Sequence, residues 1–207
     1  MQTANVVASP VKPPATLFIR KFLRHGDRVA SIAPSSRALA AAFAGCIDPS
    51  KPQTILELGA GTGAVTAAAL RRMHPQSRLF AVEIDATFVE HLRVACPAAT
   101  VLHADVCHAD GLLRDLGINK VDVILNGLPT PSLPYPINRA VFDCIARVGQ
   151  QALCAQLTVM PLVYRALYRR LFEQVQFKLV MANLPPGGVY FCRGLKPDYA
   201  ENLPKKN

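Results

Sequence analysis

The stretch Thr54-Ile-Leu-Glu-Leu-Gly-Ala-Gly-Thr-Gly63 decides the fold predicted for this chain. Its first half is a short, mainly apolar run typical of a buried strand, and its second half places glycine at every other position. A strand that enters such a turn and leaves it as a helix lets the backbone approach a ligand closely. Because open parallel sheets bind ligands at the carboxyl ends of their strands, we predict a ligand crevice at residues 59–63.

Strand and helix patterns alternate from this unit toward the end of the chain. Strands are predicted at residues 54–58, 79–84, 100–103, 121–125, 152–160, 174–183 and 189–193, and helices at 37–43, 63–72, 86–96, 138–148 and 164–172. The Leu-Pro-Pro-Gly-Gly segment at 184–188 suits a hairpin connection. We therefore predict an α/β fold with a doubly wound, seven-stranded, mostly parallel Rossmann-like sheet that ends in an antiparallel hairpin.

Positive charge is concentrated at the N-terminal end. The 207 residues include 23 Lys and Arg against 14 Asp and Glu, a net charge of +9 that favours a polyanionic partner. On a helical wheel of residues 18–30, apolar side chains share an arc of about 140° and basic ones lie opposite. We expect residues 1–47 to form a basic segment with an amphipathic membrane or lid helix, and residues 48–207 to form the sheet domain. The alternative is a surface helix that packs on that domain.

Three acids mark the predicted crevice. Glu57 precedes the first glycine, Glu83 ends the second strand and Asp105 follows the third. This accumulation favours S-adenosylmethionine, although Gly59, Gly61 and Ala64 also satisfy a loose nicotinamide-dinucleotide pattern. Other interpretations remain open: Glu83 and Asp85 could cap the following helix, and Asp105 could be a solvated loop carboxylate.

Residues 54–193 resemble the class I S-adenosylmethionine-dependent methyltransferases. The resemblance implies that the turn at Gly59, Gly61 and Gly63 passes the methionine part of the cofactor. It also implies that Glu83 holds the ribose hydroxyls and that Asp105 and Val106 contact the adenine. Glu57 and Ile84 are further residues of the implied cofactor site. Asn126, at the end of the fourth strand, completes the implied cofactor site. The expected product is S-adenosylhomocysteine, with neither a metal ion nor a covalent nucleophile required.

Within that family the chain is similar to bacterial phospholipid N-methyltransferases. The resemblance is carried by four stretches: Ser31-Ile-Ala-Pro-Ser-Ser36, residues 57–63, Gly127-Leu-Pro129 with Ser132-Leu-Pro134, and Asn183-Leu-Pro-Pro186 with Val189-Tyr190. It implies S-adenosylmethionine-dependent N-methylation of phosphatidylethanolamine toward phosphatidylcholine. The implied location is cytoplasmic, with peripheral association at the inner face of the cell membrane, and the implied partners are an anionic membrane surface and the phospholipid substrate.

Two alternatives accompany this interpretation. The rRNA adenine methyltransferases share the Val-Glu-Ile-Asp run at 82–85, but their Asn-Leu-Pro-Tyr motif corresponds here to Asn-Gly-Leu-Pro-Thr at 126–130. Alignment on Leu-Pro places Gly127 where the amide belongs and Thr130 where the stacking aromatic belongs, so we expect no nucleic-acid partner. The second alternative is a non-catalytic membrane-binding protein of the same fold.

The implied reaction needs a neutral amine and a site for the lipid phosphate. The candidate catalytic residues, which would accept a hydrogen bond from the amine, are Asn126, Tyr135 and Tyr190. Either tyrosine could instead be an interfacial or core residue. Candidate lipid- and phosphate-binding residues are Arg20, Lys21, Arg24, Arg28, Arg37 and Arg193, the last expected beside Tyr190. The six cysteines and five histidines lack metal-ligand spacing, so no metal site is predicted.

Overall fold

The computed structural model describes residues 37–158, 164–182 and 186–205. These ranges contain most of the predicted sheet domain. The predicted amphipathic helix at 18–30 lies outside them, together with Arg20, Lys21, Arg24 and Arg28. The Ser31–Ser36 stretch also lies outside.

Seven strands form one sheet in the order β3-β2-β1-β4-β5-β7-β6. They are β1 (Thr54–Leu58), β2 (Arg78–Glu83), β3 (Thr100–His103), β4 (Val123–Asn126), β5 (Leu153–Thr158), β6 (Phe172–Val180) and β7 (Gly187–Leu195). Strand β7 pairs antiparallel with β5 and β6, while β1–β5 pair in parallel. Strand β6 therefore runs in the direction of β1–β5. The predicted mixed sheet with its C-terminal antiparallel hairpin is confirmed.

Helices cover both faces of this sheet. They are α1 (Arg37–Phe43), α2 (Ala64–Arg72), α3 (Ala86–Ala95), α4 (Ala109–Asp115), α5 (Tyr135–Val148), α6 (Arg165–Leu171) and the short α7 (Tyr199–Asn202). Helices α1–α3 bury their apolar side chains on one face, and α4–α6 bury theirs on the other. Within the three described ranges, no helix combines the length and hydropathy needed to cross a membrane.

Successive side chains of β1 point to opposite faces of the sheet, so this strand contributes to both apolar cores. Leu56 and Leu58 pack on the α5 side, whereas Ile55 packs on the side of α1 and α2. All three side chains are fully buried. Full burial of such a side chain stabilises the fold by about 1.5–3 kcal/mol. A strand with both faces covered therefore needs the nearly continuous apolar run seen in the sequence.

Helix α4 is missing from the sequence-based prediction. Gly111 lies near its middle and weakens the local helical signal, because glycine is a poor helix former. Tertiary contacts stabilise the helix instead. Ala109 and Leu113 are fully buried, and the carboxylate of Asp110 pairs with the guanidinium of Arg147 on α5.

The first described helix belongs to the packed domain. Leu39, Ala40 and Phe43 of α1 are buried against the sheet, and Ile47 beyond it is 1% exposed. Residues 37–47 thus pack with the domain expected to begin at residue 48. The division of the chain before residue 37 stays a prediction.

Close backbone packing joins the ends of β1 and β4. Gly127 N–H donates to the carbonyl of Leu58 at 2.9 Å. A Cβ at Gly127 would lie 2.9 Å from the carbonyl oxygen of Gly59 and 3.3 Å from that of Leu58. Because both neighbours are backbone atoms, they cannot move aside as a flexible side chain would.

We expect Gly127→Ala to destabilise the protein by about 1–3 kcal/mol, since the methyl group forces β1 and β4 apart. Thermal unfolding followed by circular dichroism should show a midpoint several degrees lower than that of the wild type. Gly45→Ala is the matched control, because a Cβ there meets no atom within 4 Å. Equal midpoints for the two variants would contradict the proposed close packing.

Candidate active site

The carboxyl ends of β1, β2, β3 and β4 meet at one edge of the sheet. Leu58 lies opposite Val82 on one side and opposite Asn126 on the other, and Glu83 lies opposite His103. This register brings the glycine turn, Glu83 and Asn126 to the same edge, as predicted from the sequence. The crevice therefore lies where open parallel sheets bind their ligands.

The glycine turn leaves space above it. Gly59, Gly61 and Gly63 have positive φ angles of 75°, 52° and 81°, a conformation that disfavours side chains. A Cβ on Gly61 would meet no atom within 4 Å. The turn thus presents bare backbone to open space at Gly61, whereas a Cβ on Gly59 or Gly63 would lie 2.6 or 2.7 Å from the side chain of Leu128 or Leu92.

Glu83 connects the turn to the end of β2. Its carboxylate is 4% exposed and accepts three backbone N–H groups: from Gly61 at 2.8 Å, from Ile84 at 2.8 Å and from Asp85 at 2.9 Å. Charge-assisted bonds of this kind offset the cost of burying a carboxylate. Glu83 therefore holds the turn in place, and its predicted contact with a ribose stays a prediction.

The two aspartates of the crevice both accept backbone N–H groups. Asp85 Oδ1 accepts from Thr87 N–H at 2.8 Å, so it caps α3. Asp105 Oδ1 accepts from Cys107 N–H at 2.9 Å and caps the 3-10 turn Val106–His108. Val106 is buried in the core, whereas Ile84 is half-buried at the crevice edge. The adenine contacts predicted for Asp105 and Val106 stay predictions.

Glu57 lies below the turn, on the face covered by α2. Its carboxyl is 2% exposed and accepts the hydroxyl of Thr66 on α2 at 2.7 Å. Burial, with a smaller contribution from the nearby charge of Glu83, raises the pKa of Glu57 to about 8. At neutral pH the carboxyl is therefore mostly protonated. Its predicted cofactor contact stays a prediction.

A hydrogen-bonded network surrounds Gln156, a residue that the sequence analysis did not single out. Asn126 Nδ2 and Thr130 Oγ1 both donate to Gln156 Oε1, at 2.6 and 3.0 Å. In turn, Gln156 Nε2 donates to the carbonyls of Leu128 at 2.9 Å and Leu157 at 3.0 Å. The only sequence signal was a polar residue inside a buried strand, because the partners come from elsewhere in the fold.

This network fixes the loop that follows β4. Leu128 N–H donates to Asn126 Oδ1 at 3.2 Å, so the loop closes back on its own strand. Asn126, Thr130 and Gln156 are all at most 2% exposed. The predicted catalytic residue Asn126 is therefore held rigidly, and a carbonyl oxygen such as its Oδ1 can accept a second hydrogen bond.

The two predicted tyrosines occupy different places. Tyr190 lies in the same cross-strand row as Asn126 and Gln156, with its ring centroid 4.8 Å from those of Tyr168 and Phe177. Burial raises the pKa of Tyr190, and the positive charge of Arg165 opposes part of this shift. Tyr135 is half-buried in the first turn of α5 and does not belong to this cross-strand row.

The arginine expected beside Tyr190 lies on the other face of β7. Alternation places Tyr190 in the core under α5 and α6, whereas Arg193 is exposed beside Gln174, Gln176 and Cys46. The expectation that Arg193 lies beside Tyr190 is wrong, because residues three apart on a strand face opposite ways. Arg37 is exposed at the start of α1.

Metal-binding side chains do not cluster in the part of the chain that the structure describes. No group of three or more His, Cys, Asp or Glu side chains is arranged there to hold an ion. All six cysteines are free thiols.

Comparison with known proteins relates this chain to methyltransferases. The family described as "Methyltransferase domain" matches residues 55–151. An ornithine lipid N-methyltransferase from Singulisphaera acidiphila is 37% identical over 187 residues, which cover 88% of this chain and 97% of that protein. A ribosomal RNA small subunit methyltransferase A from Dichelobacter nodosus is 34% identical over 108 residues, which cover 49% of this chain and 36% of that protein.

A solved structure shares the fold. It is the 1,6-didemethyltoxoflavin-N1-methyltransferase of Burkholderia thailandensis, which was crystallised with S-adenosylhomocysteine and 1,6-didemethyltoxoflavin. The TM-score is 0.61 at 16% identity, and the match covers 92% of this chain and 94% of that one. This likeness concerns the architecture alone.

The raised pKa of Glu57 predicts a pH-dependent stability. The unfolded carboxyl ionises near pH 4.5, whereas the folded one ionises near pH 8. Between these values the folded protein binds the extra proton, so stability falls as pH rises, by at most about 1.4 kcal/mol per pH unit. Glu57→Gln should remove this contribution and should be more stable, relative to wild type, at pH 8 than at pH 5.

Chemical denaturation at both pH values measures this difference. Glu90→Gln serves as the control, because Glu90 is an exposed residue of α3. An equal stability difference for Glu57→Gln at pH 5 and pH 8 would show that Glu57 is ionised in the folded protein.

The Gln156 network predicts a large cost for its removal. Gln156→Leu leaves Asn126 Nδ2, Thr130 Oγ1 and the Leu128 carbonyl without this partner, so we expect a loss of about 3 kcal/mol in urea unfolding. Gln151→Leu provides the control. Because Gln151 is exposed, this variant should change stability by less than about 0.5 kcal/mol. A similar small change for both variants would argue against the network.

The fold, the crevice and the relatives lead to the same family. The strand order places a glycine turn at the carboxyl edge of the sheet, with bare backbone at Gly61 facing open space. The alignment with the relative that is 37% identical covers 97% of that protein. The chain therefore belongs to the class I S-adenosylmethionine-dependent methyltransferases and is similar to the bacterial lipid N-methyltransferases among them.

Proposed function

We propose that the protein transfers methyl groups from S-adenosylmethionine to the primary amine of a membrane lipid. The observation that carries this proposal is the 37% identity to an ornithine lipid N-methyltransferase along 97% of that protein. The chain and that relative therefore share the whole region that builds the crevice.

The residues of the crevice suit the cofactor. When bound, S-adenosylmethionine supplies an electrophilic methyl group on a sulfonium. The open space above Gly61 accommodates a ligand against the backbone, and Glu83 keeps the turn in the required shape. We propose that Gly59–Gly63 hold the methionine part, Glu83 and Ile84 hold the ribose, and Asp105 and Val106 border the adenine. Glu57 supports the turn from below through Thr66.

Beyond Asn126, the crevice suits an amine. A lipid ammonium titrates near pH 10, as lysine does, so it must lose a proton before it attacks. Asn126 Oδ1, held by Leu128 N–H, can accept one further hydrogen bond from the amine and orient its lone pair. The Tyr190 hydroxyl is neutral at physiological pH, as that of an unperturbed tyrosine is, and burial raises its pKa further, so it suits a hydrogen-bonding role. Tyr135 is a further candidate at the start of α5.

Two lipid headgroups are candidates. The relative's name supports ornithine lipid, and the sequence stretches quoted above support phosphatidylethanolamine. Both present a primary amine close to an anionic group, a carboxylate in the first and a phosphodiester in the second. Arginine binds either anion through its planar fork. We propose ornithine lipid as the first substrate to test and phosphatidylethanolamine as the second.

An RNA base is the alternative substrate, favoured by the partial match to a ribosomal RNA methyltransferase. Such a base needs an aromatic platform at the position of Thr130 and a free amide before it. Thr130 is not aromatic, its side chain is fully buried and bonded to Gln156, and Gly127 stands where the amide belongs. Both features disfavour an RNA base.

We propose that the reaction takes place at the inner face of the cell membrane. The basic residues Arg20, Lys21, Arg24 and Arg28 would bind anionic phosphates while the apolar side of helix 18–30 enters the headgroup region. This arrangement presents the lipid amine to the crevice without extracting the acyl chains.

A competition between substrates tests the proposal. The full chain is incubated with S-adenosylmethionine labelled in its methyl group and with vesicles of ornithine lipid, vesicles of phosphatidylethanolamine and structured RNA together. We expect label in the organic phase after extraction, with mass spectrometry identifying the methylated lipid. Label confined to RNA would overturn the proposal, and so would cofactor binding with no label in any phase, the outcome expected for a non-catalytic protein.

Glu83→Ala is the companion variant. It removes the acceptor of three backbone N–H groups, including that of Gly61, so we expect cofactor affinity to fall at least about tenfold in calorimetry. Lipid labelling should fall with it. Glu90→Gln, on the exposed side of α3, should leave both unchanged.

A further inference from the structure

Two large apolar side chains are exposed at the end of β6. Leu179 is 49% exposed and Met181 is 69% exposed. Because β6 runs in the direction of β1–β5 and Val180 pairs with Gly187, this end of the hairpin lies at the carboxyl edge of the sheet. The exposed pair therefore lies along the same edge as the crevice.

Strand geometry relates this end of the hairpin to Asn126. Strand β4 is separated from β6 by β5 and β7, which gives a lateral distance of about 14 Å for three strand spacings. Leu179 lies two residues beyond Phe177 and so faces the same side of the sheet. Phe177 belongs to the cross-strand row that contains Asn126, Gln156 and Tyr190. The apolar pair thus lies on the Asn126 side of the crevice.

Two exposed cations lie toward this end of the hairpin. Lys178 is next to Leu179 on β6, and Arg165 is the first residue of α6. Arg169 and Arg170 end α6 beside the start of β6, at the opposite edge of the sheet. Arg165 begins α6 at the crevice edge and lies close enough to Tyr190 to affect its pKa. Exposed apolar side chains among charges of one sign are typical of surfaces that bind anionic membranes.

We propose that Leu179, Met181, Lys178 and Arg165 form a hairpin-tip surface that contacts an anionic bilayer. Leu179 and Met181 enter the acyl boundary, and Lys178 and Arg165 bind lipid phosphates. This inference rests on the proposed function, and it assigns a membrane contact to the folded domain in addition to the predicted amphipathic helix at residues 18–30. With the hairpin tip at the bilayer, the crevice edge faces the headgroups that carry the amine.

Tryptophan fluorescence tests this surface directly, because the chain contains no tryptophan. In the full chain, Met181→Trp places one probe at the hairpin tip. Val94→Trp is the matched control, since Val94 is 83% exposed near the end of α3, at the opposite edge of the sheet. Each variant is mixed with vesicles of phosphatidylcholine and phosphatidylglycerol that contain lipids brominated in the acyl chain.

We expect the Met181→Trp emission to shift to the blue and to be quenched by the brominated lipids, while the Val94→Trp emission stays unchanged. An unquenched Met181→Trp probe in protein that floats with the vesicles would overturn the surface. Equal quenching of both probes would also overturn it. A blue shift without vesicles that grows with protein concentration would assign the surface to contact between copies of the chain.

The introduction of negative charge at this surface provides the second measurement. The double variant Leu179→Asp, Met181→Asp should bind these vesicles at least about tenfold more weakly, because two carboxylates replace the inserted side chains. Leu116→Asp, a 46% exposed site after α4, should bind within about twofold of wild type. Unchanged binding of the double variant, with an unchanged melting temperature, would overturn the surface.

The two proposals fail in different ways. Lipid methylation by a protein whose Met181→Trp probe is unquenched removes the hairpin-tip surface and leaves the proposed function. A quenched probe without methylation of any lipid removes the proposed function and leaves a membrane-binding surface.

Discussion

The site depends on the hydrogen bonds that the Glu83 carboxylate accepts from the backbone. A buried carboxylate is costly unless its oxygens are satisfied, and here Gly61, Ile84 and Asp85 supply the three N–H groups. The same bonds tie the glycine turn to the end of β2. The positive φ angles of the turn are therefore maintained by the fold, and at Gly61 no side chain separates the backbone from open space.

A second, independent set of contacts shapes the half of the crevice beyond β4. Gln156 uses its amide to bond to Asn126, Thr130 and two carbonyls, so the loop after Asn126 is defined by a neighbouring strand. The first half of the crevice is bare backbone, and the second is a satisfied polar network inside an apolar layer. This division matches a site that holds one ligand closely and orients a second one against it.

The edge of the sheet also organises the charges. Arg193 lies on the face of α1 and α2, whereas Arg165 lies near Tyr190 on the face of α5 and α6. An anionic headgroup near Asn126 would therefore lie closer to Arg165 than to Arg193. The exposed apolar residues at the end of β6 continue the same edge, where we propose that the protein contacts the lipid surface.

The sequence by itself determined the strand-turn-helix unit at residues 54–63, the alternating elements and the end positions of Glu83, Asp105 and Asn126. Local signals suffice for these features, since a buried strand needs an apolar run and a tight turn needs glycine. Helix α4 escaped prediction because Gly111 weakens its local signal and its stability comes from the core and from Arg147. Only the tertiary structure decided that Glu57 lies beneath α2, that Gln156 joins Asn126 and Thr130, and that Tyr190 and Arg193 lie on different faces. Three partners of Gln156, namely Asn126, Leu128 and Thr130, are 26 to 30 residues away in the chain, and such contacts are fixed by strand order and register rather than by any local pattern.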